Sequence, residues 1–234
     1  MTGYLVVGEE RGRGSACVKQ LCGLPVLEVK LCFPKDIRPH VLKRKLNRAV
    51  QILRRAEVLR VIFPPSFPYR EYFGDFKAVE PLEFYRSAAD VLILGWLEHH
   101  GVDRTRGRVA LSGSRLSPDL EYTARRLCLA VRGVRIDVPG EEEAWFAAEL
   151  QRVYGVPVVP RGMPVDLIAE FSPMGTGQLR LWGEEPYLDG LRLTAEGVEP
   201  PAEIADAVLT LLWEQGKIRR DQLRVICDKK KEEN

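Results

Sequence analysis

Long apolar runs are absent from this 234-residue sequence. The longest, Val91–Leu97, falls far short of the ~20 residues that a membrane helix needs. The stretch Met1–Glu10 has no basic residues ahead of its few apolar ones, so it does not read as a signal peptide. Cysteine is sparse and odd in number: Cys17, Cys22, Cys32, Cys128 and Cys227. They stand singly or loosely spaced, which excludes a disulfide framework and points to free thiols in a reducing compartment. Together these absences predict a soluble, cytoplasmic protein.

Histidine is rarer still, with only His40, His99 and His100. A Ser–His–acid triad has few ways to form, and the G-x-S-x-G elbow is missing. Walker P-loop, H-E-x-x-H and EF-hand patterns are missing too. Cys17, Cys22, Cys32 and His40 do not make a zinc knuckle, because no second close pair of ligands follows the first. No catalytic constellation is identifiable, and no cofactor is named by any motif.

What is present is ordinary globular composition, 45% hydrophobic and 29% charged, enough for a sizeable core without staples. Lys plus Arg number 35 against 33 Asp plus Glu, a net charge of +2 that argues against nucleic acid as a partner. One element departs from that balance. The helix expected over residues 38–57 carries Arg38, Lys43, Arg44, Lys45, Arg48, Arg54 and Arg55 against Glu57 alone. Such a helix can track phosphates, although a solvated face is the simpler explanation.

Periodicity sets out the remaining elements. Val26–Phe33 reads as a strand that Tyr4–Val7 can join, with Gly8–Gly23 between them as a loop. Helix 38–57 takes Asp36 as its N-cap and buries Leu42, Leu46, Ala49, Val50 and Leu53. Leu59–Phe63 is a short buried strand. Pro64–Pro81, dense in proline and aromatics, should pack down without regular structure. A helix over 81–100 ends at Gly101. Strands at 109–112, 134–138 and 156–159 then alternate with helices 117–132 and 141–154, and 166–171 adds another strand. Each helix runs into Gly and then a β-branched segment, as in βαβ units with parallel strands.

The expected fold is therefore α/β, a Rossmann-like three-layer, mainly parallel sheet over residues 1–173, with residues 1–25 as an N-terminal hairpin and loop. Residues 174–234 form a small C-terminal appendage, a β-hairpin turning at Asp189-Gly190 followed by a helix, 202–215, and a charged, frayed tail from Asp228 to Asn234.

In open α/β sheets ligands bind beyond the carboxyl ends of the strands, where the strand order reverses. With the strand at Leu59 on one side of 109–112 and 134–138 on the other, that point falls on the turn after residue 112. Ser112, Gly113, Ser114 and Arg115 offer backbone N–H groups, hydroxyls and a cation to an anion. Asp137 ends the next strand, where a dinucleotide-binding protein keeps its ribose acid. The G-x-G-x-x-G fingerprint is not there, since the turn has only Gly113. Ser117 as N-cap with Pro118 at N1 accounts for the same residues without a ligand. Glu141, Glu142 and Glu143 open the following helix, where the dipole favours acids. His99 and His100 close another, where it favours cations.

Three functions follow as expectations. The first is a small anionic or nucleotide-like ligand at Ser112–Arg115 with Asp137. The second is a non-catalytic interaction protein that presents the aromatic segment Phe67–Phe76 to a protein partner, a reading that exposed rings would support and buried rings would weaken. The third is nucleic-acid binding through the basic helix.

Overall fold

A computed structural model describes residues 1–10, 12–34, 36–155 and 157–227. In chain order the elements are β1 (Thr2–Gly8), β2 (Ser15–Leu21), β3 (Leu24–Cys32), α1 (Pro39–Arg55), β4 (Arg60–Ile62), β5 (Lys77–Ala78), α2 (Leu82–Ser87) and α3 (Ala89–His99). They continue as β6 (Arg108–Ser112), α4 (Pro118–Leu127), β7 (Gly133–Asp137), α5 (Glu141–Tyr154), β8 (Leu167–Glu170), β9 (Leu179–Arg180), β10 (Leu191–Ala195), α6 (Ala205–Glu214) and β11 (Leu223–Cys227). The protein is mixed α/β with parallel sheets. Among the described residues no helix is long and apolar enough to cross a membrane.

Two compact units divide the chain, residues 1–80 with 197–218 and residues 81–196 with 219–234. These bounds differ from the expected division at residue 173. Among the described residues the strands before residue 80 pair only with one another, so two mainly parallel sheets stand where the sequence pattern suggests one.

In the first unit the sheet order is β2-β3-β1-β4-β5. Strand β1 lies parallel to both β3 and β4. Helix α1 begins at Pro39, whose fixed φ suits a first helical position. Its N-cap is Arg38, with no side-chain cap bond, so Asp36 does not cap it as the sequence suggests. Leu46, Ala49, Val50 and Leu53 bury one stripe of the helix in a core with Leu5, Val29 and Val61. Gly3 lets the helix settle, because a Cβ there would stand 2.7 Å from Leu53 Cδ2.

The segment between β4 and α2 contains a 3-10 turn, Arg70–Phe73, and the short strand β5, where no regular structure is expected. Phe67, Phe73 and Phe76 are buried, and Phe63, Tyr69 and Tyr72 pack against them. Phe67 stacks on Phe63 at 5.9 Å and meets Tyr69 edge-on at 5.8 Å. These rings complete the core that α1 begins, and their burial weakens the expectation of an interaction surface built from them.

Strand β2 falls inside the expected loop 8–23. Six of its seven residues are exposed, so no alternation marks it. It is an edge strand set by a tight hairpin, in which Cys22 and Gly23 both take positive φ, 50° and 77°.

In the second unit the order is β7-β6-β8-β9, all parallel, with Val158 bridging to the outer side of Val134. The expected helix 81–100 is two helices, α2 and α3, which meet at Ala88. Gly101 takes φ +69° as the stop after α3. Asp189 and Gly190 do form a tight turn, both with positive φ. Strand β10, however, pairs antiparallel with the distant β11 instead of with residues 187–188. The expected tail, Asp228–Asn234, lies outside the described residues, as does Val156 of the expected strand 156–159.

Candidate functional site

The strand order of the second unit reverses at β6, as the sequence suggests, but for a different reason. The neighbour opposite β7 is β8, not the strand after Leu59, which belongs to the first unit. Register places Ser112 beside Asp137 on one side and beside Glu170 on the other. The three residues form a row across the carboxyl ends of adjacent strands.

Protein groups already engage the donors of that turn. Gly113 N–H donates to the Asp137 carbonyl at 3.1 Å, and Ser114 N–H to Ser172 Oγ at 2.6 Å. Leu116 N–H donates to the Glu142 carboxylate at 3.2 Å, so an acid from α5 takes the place an anion would occupy. Ser117 caps α4, accepting from Leu120 N–H at 3.3 Å. Asp137 accepts from Arg135 Nε at 2.8 Å, and Arg115 is exposed. Glu170, which sequence reasoning passed over, is 1% exposed. It accepts from Gly177 N–H at 2.9 Å and from the Trp182 indole at 3.3 Å. A Cβ on Gly177 would stand 2.7 Å from Glu170 Cγ, so the loop after β8 closes around this carboxylate. Its neighbouring Met174-Gly175-Thr176-Gly177 pattern was the only signal for it.

A larger groove of about 1110 Å³ in the same unit lies between α3 and β11. It is rich in arginine, but its charges neutralise one another. Buried Asp90 accepts from Arg126 Nε at 2.8 Å and also pairs with Arg220. The two guanidinium groups flank the Tyr122 ring at 5.8 and 5.0 Å. Arg104 pairs with Glu98 at 2.6 Å, and Arg224 with Glu196 at 3.0 Å. His99 lines this groove, whereas His100 stacks on Trp96 at 3.8 Å.

The first unit holds a different arrangement. A cavity of about 490 Å³ opens between α1 and the β2–β3 hairpin, toward the carboxyl end of β3. Five cations line it: Arg13, Lys30, Arg44, Lys45 and Arg48. Among the described residues no acidic one lines it. The helix supplies three of these because positions 44, 45 and 48 lie on the flank of α1 beside its buried stripe. The loop before β2 supplies Arg13 from the opposite wall. Glycines bring that loop close: a Cβ on Gly14 would stand 2.5 Å from the Lys30 carbonyl oxygen, so only Gly fits.

Lys45 fastens loop to helix, its Nζ donating to the Gly12 carbonyl at 3.0 Å and the Cys32 carbonyl at 2.6 Å. Gly12 and Lys45 also line a second cavity, about 320 Å³, on the side of Pro34 and Arg38. Lys30 pairs with Glu10 at 2.5 Å, a bond that lowers the Glu10 carboxyl and raises the Lys30 amine from their ordinary values. Among the described residues no ion pair holds Arg13, Arg44 or Arg48. Other cations of this unit do find acids: Arg54 meets Asp75 at 2.8 Å, and Arg60 meets Glu214 at 3.1 Å. Cys32 is buried at the cavity wall, and Cys17 lies exposed on β2. Among the described residues no group of three or more His, Cys, Asp or Glu could hold a metal ion.

Comparison with known proteins adds no family: no family model matches the chain, and no curated protein matches it.

Proposed function

We propose that this protein binds an anion carrying phosphate groups, in the cavity between α1 and the Gly12–Ser15 loop of its first unit. One observation carries this reading: three arginines line a single cavity, and among the described residues no carboxylate pairs with them. Like charges that share one cavity repel, and an anion that enters relieves the repulsion. Arginine suits phosphate in particular, because its planar fork donates two parallel hydrogen bonds. A cavity of about 490 Å³ is within the range that holds small ligands.

The Rossmann-like reading attaches to the second unit, whose strands run outward on both sides of β6. A ligand at Ser112–Arg115 is the weaker proposal there, since the N–H groups of Gly113, Ser114 and Leu116 have protein acceptors.

The test is calorimetric titration with inorganic tripolyphosphate at low and moderate salt. The Arg44→Glu/Arg48→Glu double variant should lose binding at least tenfold while its unfolding midpoint stays near that of the parent, because both side chains are exposed. Binding that survives the double variant places the anion elsewhere, and an Arg115→Glu variant then asks whether the loop after β6 holds it.

A further inference from the structure

The row of cations does not end at the cavity. At 100° per residue, Arg44, Arg48 and Arg55 fall within about 40° of one another around α1, and they span about 16 Å of its axis. All three are exposed. Arg55 does not line the cavity, and among the described residues no ion pair holds it. A ligand the size of the cavity would leave Arg55 unused.

The cavity walls also say what kind of ligand fits. Among the described residues no aromatic ring lines it, so the aromatic platform on which unpaired bases stack is missing. Of its apolar lining residues Val29, Leu31 and Ala49 are at most 3% exposed and Ile52 is half-buried, so cationic side chains supply much of the surface that a ligand meets. The planar guanidinium groups present match phosphate oxygens in pairs. Residues 1–80 hold 15 of the 35 Lys and Arg but only 8 of the 33 Asp and Glu, so the near-neutral total conceals a strongly basic segment.

Resting on the anion-site reading above, we infer that the ligand is the phosphate backbone of a nucleic-acid duplex, in which the bases are already paired and stacked. The backbone is tracked by Arg13 and by the row Arg44–Arg48–Arg55, without sequence preference. Contacts to phosphate alone position a protein on a duplex but carry no sequence information.

Fluorescence anisotropy with two labelled 20-base-pair DNA duplexes of unrelated sequence, titrated across a salt series, tests this. Both should bind with equal affinity, more tightly than the corresponding single strands. Arg55→Gln should weaken duplex binding roughly three- to tenfold and flatten the slope of log affinity against log salt by about 0.9, the loss of one phosphate contact. The same variant should leave tripolyphosphate binding unchanged. Equal duplex affinity in Arg55→Gln and parent overturns the inference, as does tighter binding of single strands. Tripolyphosphate binding without duplex binding also overturns it while leaving the anion site standing. Failure of both ligands overturns the anion site itself.

Discussion

Lys45 Nζ donates to the carbonyl oxygen of Cys32 at 2.6 Å, joining the middle of α1 to the last residue of β3. Its second bond, to Gly12, ties the loop carrying Arg13 to the same helix. A cation is thereby spent on backbone carbonyls at the mouth of a site already rich in cations, which marks it as a positioning group for the loop.

Replacing Lys45 by Met keeps most of the stem and removes the donor. Two carbonyls then turn to water, and the expected cost is about 1 kcal/mol, as for a partly exposed hydrogen-bond pair. Amide exchange at Gly12–Ser15 should accelerate, and tripolyphosphate affinity should fall further than one lost charge explains. Urea unfolding and hydrogen exchange measure the two effects. Unchanged exchange in the loop would show that Lys45 does not hold it.

How much of this was legible in the sequence depends on whether neighbours in space were neighbours in the chain. The run β6, α4, β7, α5 was readable because Pro118, Gly155 and β-branched strands mark its boundaries locally. The turn at Asp189-Gly190 was readable for the same reason. Its strand partner was not, since β11 begins more than thirty residues later. Strand β2 left no period because both its faces meet solvent. The break at Ala88 has no Pro or Gly to announce it.

The candidate sites follow the same logic. The turn Ser112–Arg115 was visible as a place, but its occupancy by Ser172 and Glu142 depends on contacts 58 and 26 residues away. The basic helix was visible, whereas Arg13 facing it was not, because β3 brings loop and helix together. Averaging the charge over the whole chain hid the basic character of its first 80 residues.

Asp90 yields a second prediction. Its side chain is 6% exposed and compensates Arg126 and Arg220 in the second unit. The bond to Asp90 raises the Arg126 guanidinium above its ordinary value, so this arginine carries its charge near neutral pH. Removing the buried carboxylate takes an acceptor from both arginines while half-exposed Arg126 stays solvated, at a cost of about 1–3 kcal/mol. Asp90→Ala should lower the urea midpoint accordingly, and Asp90→Asn, which keeps the shape, should lose less. A loss below about 1 kcal/mol for Asp90→Ala would mean that solvent, not the carboxylate, compensates these arginines.

Cys128 gives the third, a dependence on alkaline pH. Burial pushes its thiol up from 9.0 to about 11, because the thiolate is poorly solvated at the buried C-terminal end of α4. Below about pH 9 the thiol is protonated in folded and unfolded chains alike, and its contribution to stability is fully present. Between about pH 9 and 11 the unfolded chain loses the proton while the folded chain keeps it, so stability falls as pH rises through that window. Other groups titrate there too, so the informative quantity is the difference between parent and Cys128→Ala. That difference should shift in favour of the variant from pH 9 to 11 and stay flat from pH 6 to 8. Exposed Cys17 should be alkylated promptly at pH 8, with Cys128 protected until the chain unfolds. Parallel stability curves for parent and variant, or equal alkylation rates at the two cysteines, would show that water reaches the Cys128 thiol in the folded state.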